Sequence, residues 1–123
     1  MTSALPTPGQ LLAAAKAVLS RAADWGPAWP QAVALFSRQS LEDAIDLLWV
    51  GPTAGMRDCP MAHQLICLPY FLDPDVAHQA NETWHALSGA CHAHPYALSP
   101  TLGELRGWIT EVERLLVAIR AAG

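Results

Sequence analysis

The C-terminal segment constrains the fold more than any other part of the chain. Leu102, Leu105, Ile109, Val112, Leu115, Leu116 and Ile119 recur every three or four positions, the spacing that lines up side chains on one face of an α-helix. Thr101 and Glu104 stand three apart at its start and form a capping-box pattern, with Ser99 as the alternative cap. A helix with so long an apolar stripe needs other elements to cover it. No segment alternates apolar and polar residues strictly, so the cover has to be helical. The expected fold class is all-α: a compact bundle of about five helices closed by a long amphipathic C-terminal helix.

The other helices are read from their punctuation. Residues 1–6 read as a disordered lead and residues 7–123 as a single helical-bundle domain, a length that falls in the common single-domain range. Thr7-Pro8-Gly9-Gln10 supplies an N-cap, a Pro at the first helical position and a capping-box Gln. Leu11, Leu12, Ala15, Val18, Leu19 and Ala22 then carry helix one to about Asp24, where Trp25-Gly26-Pro27 ends it. Pro30 opens helix two, with Val33, Phe36, Leu41, Ala44, Ile45 and Leu48 inward and an end at Gly51-Pro52. Gly51 to Cys59 reads as a loop, and a short third helix starts near Pro60 and runs into Pro69, which denies it a backbone donor. Asp73-Pro74 caps a fourth, whose stripe is Val76, Ala80, Trp84, Leu87 and Cys91; His92 to Ser99, with Pro95, reads as non-helical.

Composition bounds the function classes. Hydrophobic residues make up 52% and charged residues only 15%, against about 25% charged in ordinary soluble domains. That surplus of apolar face predicts self-association, with a homodimer as the expected state and a partner protein as the other candidate. The formal net charge of −4 provides no overall basic field, so DNA is not an expected partner. No run of about 18 apolar residues suggests a membrane span, and Met1 to Gln10 lacks the basic-then-apolar pattern of a signal peptide. Three cysteines, Cys59, Cys67 and Cys91, read as reduced thiols of a cytoplasmic protein.

Chemistry-bearing residues concentrate in Ser88-Gly89-Ala90-Cys91-His92-Ala93-His94-Pro95-Tyr96, where helix four gives way to the next loop. A His there has the right pKa range for a general acid or base. Cys91 and His94, joined by Cys59 and His63 four residues apart, make a candidate set of four N/S zinc ligands. Neither couple has the C-x-x-C form of a strong zinc signature, and Cys91 also fits the apolar stripe as a small packed hydrophobe. His78 and His85 share a helix face two turns apart, too far for one ion. Glu42, Asp43 and Asp46 read as a solvated acidic face. Of the tryptophans at 25, 29, 49, 84 and 108, three are expected in the core, with Trp84 and Trp108 on or beside apolar stripes. No G-x-S-x-G, P-loop or H-E-x-x-H pattern occurs.

The segment from Trp84 to His94, followed by a Pro-containing loop and a final amphipathic helix, resembles the HEPN superfamily (higher eukaryotes and prokaryotes nucleotide-binding domains). That resemblance implies a small, often dimeric helical bundle, and many such proteins are metal-independent ribonucleases of toxin and antiviral systems. The family motif places an Arg four to six residues before a His near the end of a late helix. His94 or His92 matches the histidine, but the arginine position falls near Gly89. Without a cation, the developing phosphorane charge lacks its electrostatic partner. Arg106 on the last helix is the candidate substitute, while the Arg57–His63 string lies in the wrong helix. The resemblance therefore implies a homodimeric binding or regulatory module in a defence, toxin–antitoxin or secondary-metabolism setting. It leaves open an RNA-cleaving enzyme using His94 or His92 with Arg106, and a small zinc-binding bundle using Cys59, His63, Cys91 and His94.

Overall fold

The computed structural model describes residues 5–92 and 98–122. Within them the chain forms α1 (Pro8–Ser20), α2 (Trp29–Asp46), α3 (Met61–Cys67), α4 (Pro74–Cys91) and α5 (Leu102–Ala122), linked by 3₁₀ segments at Ala22–Ala28, Gly51–Asp58 and Leu68–Tyr70. No strand occurs among the described residues, and the all-α bundle closed by a long C-terminal helix stands as read. No helix of the described residues is long and apolar enough to cross a membrane. His94 and the rest of 93–97 lie outside the described residues, as do 1–4.

The helix starts follow their caps. Thr7 Oγ1 accepts from the Gln10 amide at 3.1 Å, and the Gln10 side chain accepts from the Thr7 amide at 2.9 Å. Thr101 and Glu104 repeat this reciprocal pair at 3.1 and 2.9 Å, which settles the cap of α5 on Thr101. Asp73 Oδ1 accepts from the amides of Asp75 and Val76 at the head of α4. Each box satisfies amides that the first helical turn otherwise leaves without partners.

α2 is the central helix. It packs on α1, α4 and α5, while α5 also lies against α1 and α4 and α3 lies against α4. The shared core comprises Val33, Leu41 and Ile45 of α2, Leu65 and Leu68 at α3, Leu87 of α4, and the predicted stripe of α5 from Leu105 to Ile119; Leu102, predicted as its first member, is exposed at the helix start. A fully buried Leu or Ile contributes about 1.5–3 kcal/mol relative to exposure.

Expectations about helix ends and core positions change. Helix two, read to Gly51-Pro52, ends at Asp46, and Leu47 and Leu48 form a turn ahead of Trp49. Helix one ends at Ser20, short of Asp24, because Arg21 leaves helical geometry (φ −124°, ψ 37°) and Gly26 takes a left-handed φ of 65°. Gly51 to Asp58 is coiled into a 3₁₀ segment where the sequence predicts a loop, with Gly51 at φ 58° making the entry turn that an L side chain resists. Trp49, placed by sequence only at a helix end, is the largest fully buried side chain, while Trp29, Trp84 and Trp108 pack against the core edge and Trp25 is half exposed.

Candidate functional site

Two side-chain hydrogen-bond clusters between the helices are built differently. Beneath α3, the indole Nε1–H of Trp49 donates to Gln64 Oε1 at 2.8 Å, and Gln64 Nε2 donates to the Cys59 carbonyl at 2.8 Å. Gln64 is 2% exposed and Trp49 0%. Phe71 meets the Trp49 ring edge-on at 5.1 Å. The Gln64 amide locks the end of α2 to the start of α3 and so serves the fold, since each of these buried polar atoms has a partner and none is turned outward.

The second part lies between α2 and α4. Arg38 Nε donates to Glu42 Oε2 at 3.1 Å, one turn along α2. The same oxygen accepts from Trp84 Nε1 of α4 at 2.9 Å. The Arg38 guanidinium also lies beside the Cys91 thiol, two turns further along α4 than Trp84. The two helices therefore run antiparallel here, with Glu42 opposite Trp84 and Arg38 opposite Cys91. Burial pushes the Cys91 thiol above the usual range for a cysteine, and Glu42 adds to this, while Arg38 opposes it. The thiol is thereby kept protonated, the opposite of what a nucleophilic or metal-binding cysteine needs. Ser88, between Trp84 and Cys91 on α4, buries its hydroxyl without a partner among the described residues.

Glu42 corrects the reading of a solvated acidic face. Its carboxylate is mostly buried, with the side chain 20% exposed, and is shared by Arg38 and Trp84. Asp43 accepts from Gln39 at 2.7 Å. Asp46 is raised above the ordinary carboxylate range, first by partial burial and then by Asp43 and Glu42, with Arg57 opposing.

Among the described residues, those proposed from sequence do not assemble into one centre. His92 caps α4 in extended geometry, exposed, with its amide donating to Gly89 O at 3.3 Å. Glu104 and Trp108 face Ala86, Gly89 and Ala90 across a crevice between the end of α4 and the start of α5. Arg106 sits midway between them in sequence, about 200° around the helix from each, and is exposed on the other side. It is Arg38, from α2, that approaches the end of α4. Arg57 Nε donates to the Asp46 carbonyl at 3.1 Å, so it serves the α2 terminus. His78 Nε2 lies 3.0 Å from Glu82 on the exposed face of α4, and His85 meets the Trp84 ring edge-on. Among the described residues no three His, Cys, Asp or Glu side chains converge, so Cys59, His63 and Cys91 do not form a three-ligand group, and His94 falls outside that description.

Arg38, Glu42 and Trp84 escape a reading of the sequence as a functional group. The four-residue spacing of Arg38 and Glu42 is a legible signal for a helical ion pair. Nothing in the sequence shows that α4 sets Trp84 and Cys91 against it.

No family model, curated protein or solved structure matches this chain.

Proposed function

We propose that this chain is a HEPN-like helical-bundle module that works by binding, as a homodimer, and not by cleaving RNA. The observation that carries the reading is the apolar surface left open where α2 hands over to α3 and α4. Leu47 and Val50 flank the buried Trp49, Phe71 packs on its ring, and Ile66 and Tyr70 follow on the adjoining turn; all five are exposed, Tyr70 by 85%. Exposed aromatic and aliphatic groups of this density mark contact surfaces.

The α2–α4 seam supports the same reading. A ribonuclease centre needs a cation whose charge is available to the phosphorane. The charge of Arg38 is already offset by Glu42, and Arg106 faces away from the crevice at the end of α4. Purified protein incubated with labelled single-stranded RNA in chelator is expected to leave the RNA intact between pH 6 and 8. Cleavage that disappears in His92→Ala or His94→Ala would overturn the proposal and establish the catalytic alternative. Light scattering tests the homodimer directly.

A further inference from the structure

We propose that a second copy of this chain docks along the C-terminal half of α5, about a two-fold axis passing beside Val117. This rests on the homodimer reading above and puts the two-fold contact on α5, which leaves the exposed Leu47, Val50, Ile66, Tyr70 and Phe71 surface for a partner protein. Val117 is 65% exposed on a helix whose other Leu, Ile and Val side chains from Leu105 onward are buried. It stands as a ridge between two apolar hollows. One is floored by Leu12 and Leu116 and walled by Gly9 and Ala13 of α1. The other is lined by Val76 of α4 and Ala118, with Thr110, Glu113 and Arg114 at its edge. Ala13 on the α1 wall leaves room beside the Arg120 guanidinium, which covers Gly9, so the ridge of one copy meets the hollow of the other.

The charges around the ridge select this partner and this orientation. Glu113 and Arg120 are seven residues apart and flank Val117 on the same face, separated by about 10.5 Å along the axis. Two α5 helices packed antiparallel about a two-fold near Val117 bring Glu113 of each copy to Arg120 of the other. One surface thus supplies both halves of two ion pairs, which is what an isologous contact demands. Parallel packing in register would set Glu113 on Glu113 and Arg120 on Arg120.

The groups facing the contact are prepared for it. Arg120 has no carboxylate partner among the described residues, and its guanidinium lies over Gly9, with Nη2 3.4 Å from where a Cβ would stand. Glu113 gives one oxygen to Lys16 at 2.7 Å, and its side chain remains 44% exposed. Arg114, the other cation on this stretch, is engaged by Glu111 at 3.0 Å.

The test is sedimentation equilibrium on the full chain over a range of concentrations. The wild type is expected at twice its 13.2 kDa mass. Val117→Asp should be monomeric with an unchanged far-ultraviolet spectrum, since the side chain is exposed within one copy, and its Tm should no longer depend on protein concentration. Glu113→Arg and Arg120→Glu should each weaken dimerisation at least tenfold. An equimolar mixture of those two variants should recover a tight heterodimer, because both contacts across the two-fold become opposite in sign. Loss of the Lys16 pair lies within the Glu113→Arg chain and is present whether that chain is free or bound, so it does not mimic the recovery. If Val117→Asp remains as dimeric as the wild type, or mixing restores nothing, this surface is wrong while the homodimer survives. A wild type that is monomeric throughout overturns both.

Discussion

Gln64 provides a sharp test of how the bundle is held together. Its side chain is 2% exposed and bridges Trp49 Nε1 and the Cys59 carbonyl, both at 2.8 Å. Gln64→Leu keeps most of the volume but leaves the indole N–H buried without an acceptor, at a cost of about 1–3 kcal/mol. The Cys59 carbonyl is only partly buried and water can replace its donor, so the whole loss should be about 2–4 kcal/mol. Trp49→Phe removes the donor instead, orphans Gln64 Oε1 and leaves a void in the core, for about 3–5 kcal/mol. The double variant no longer has either orphan of that bond. It should therefore fall short of the sum of the singles by about 1–3 kcal/mol. Urea unfolding followed by circular dichroism at 222 nm measures each value, and about 1 kcal/mol corresponds to roughly 4 °C in Tm for a chain of this size. Additivity within about 0.5 kcal/mol would refute the reasoning, since it would mean that the Trp49–Gln64 bond contributes nothing.

Glu42→Ala should cost about 1–3 kcal/mol in the same assay by leaving the Trp84 indole and Arg38 without their shared acceptor; Glu42→Gln, which keeps an acceptor oxygen, should cost less. Asp46→Asn should raise the Tm at pH 7. A carboxyl whose folded pKa is raised binds protons more readily when folded, so its ionisation at higher pH works against the fold. That advantage should fade as pH falls through the folded pKa and be gone below the unfolded value of about 3.9, where both forms are neutral. Cys91 should react with a disulfide reagent at pH 8 much more slowly than a free cysteine, because burial holds its thiol protonated; peptide mapping after partial labelling reads this out. Thr101→Ala should cost about 1 kcal/mol by removing the hydroxyl that accepts the Glu104 amide.

What the sequence determined by itself was local. The boxes at Thr7–Gln10 and Thr101–Glu104 are closed within four residues, and their hydrogen bonds form as their spacing requires. The α5 stripe is equally self-contained, since helical periodicity alone decides which of its side chains share a face. Helix lengths were less legible where a chain turn intervenes. The end of α1 depends on Arg21 leaving helical geometry ahead of Gly26, and the coil at Gly51–Asp58 follows a left-handed glycine that composition marks only as a break.

The tertiary structure alone decided the pairings that carry the candidate surfaces. Glu42 looks like part of an acidic cluster until α4 lays Trp84 across it. Trp49 looks like a helix-end aromatic until Gln64, fifteen residues on, gives its indole an acceptor that makes full burial affordable. Arg106, the cation chosen from sequence, is turned away by the helical rotation that points Glu104 and Trp108 at α4, and Arg38 approaches the end of α4 instead. In α5 the division runs through a single helix. Periodicity assigned the inner stripe from Leu102 to Ile119, but only the packing of α1 and α4 on either side left Val117 as a ridge between hollows. A helix carries its own hydrogen-bond pattern in sequence, whereas the groups that meet across two helices depend on the crossing and register of both.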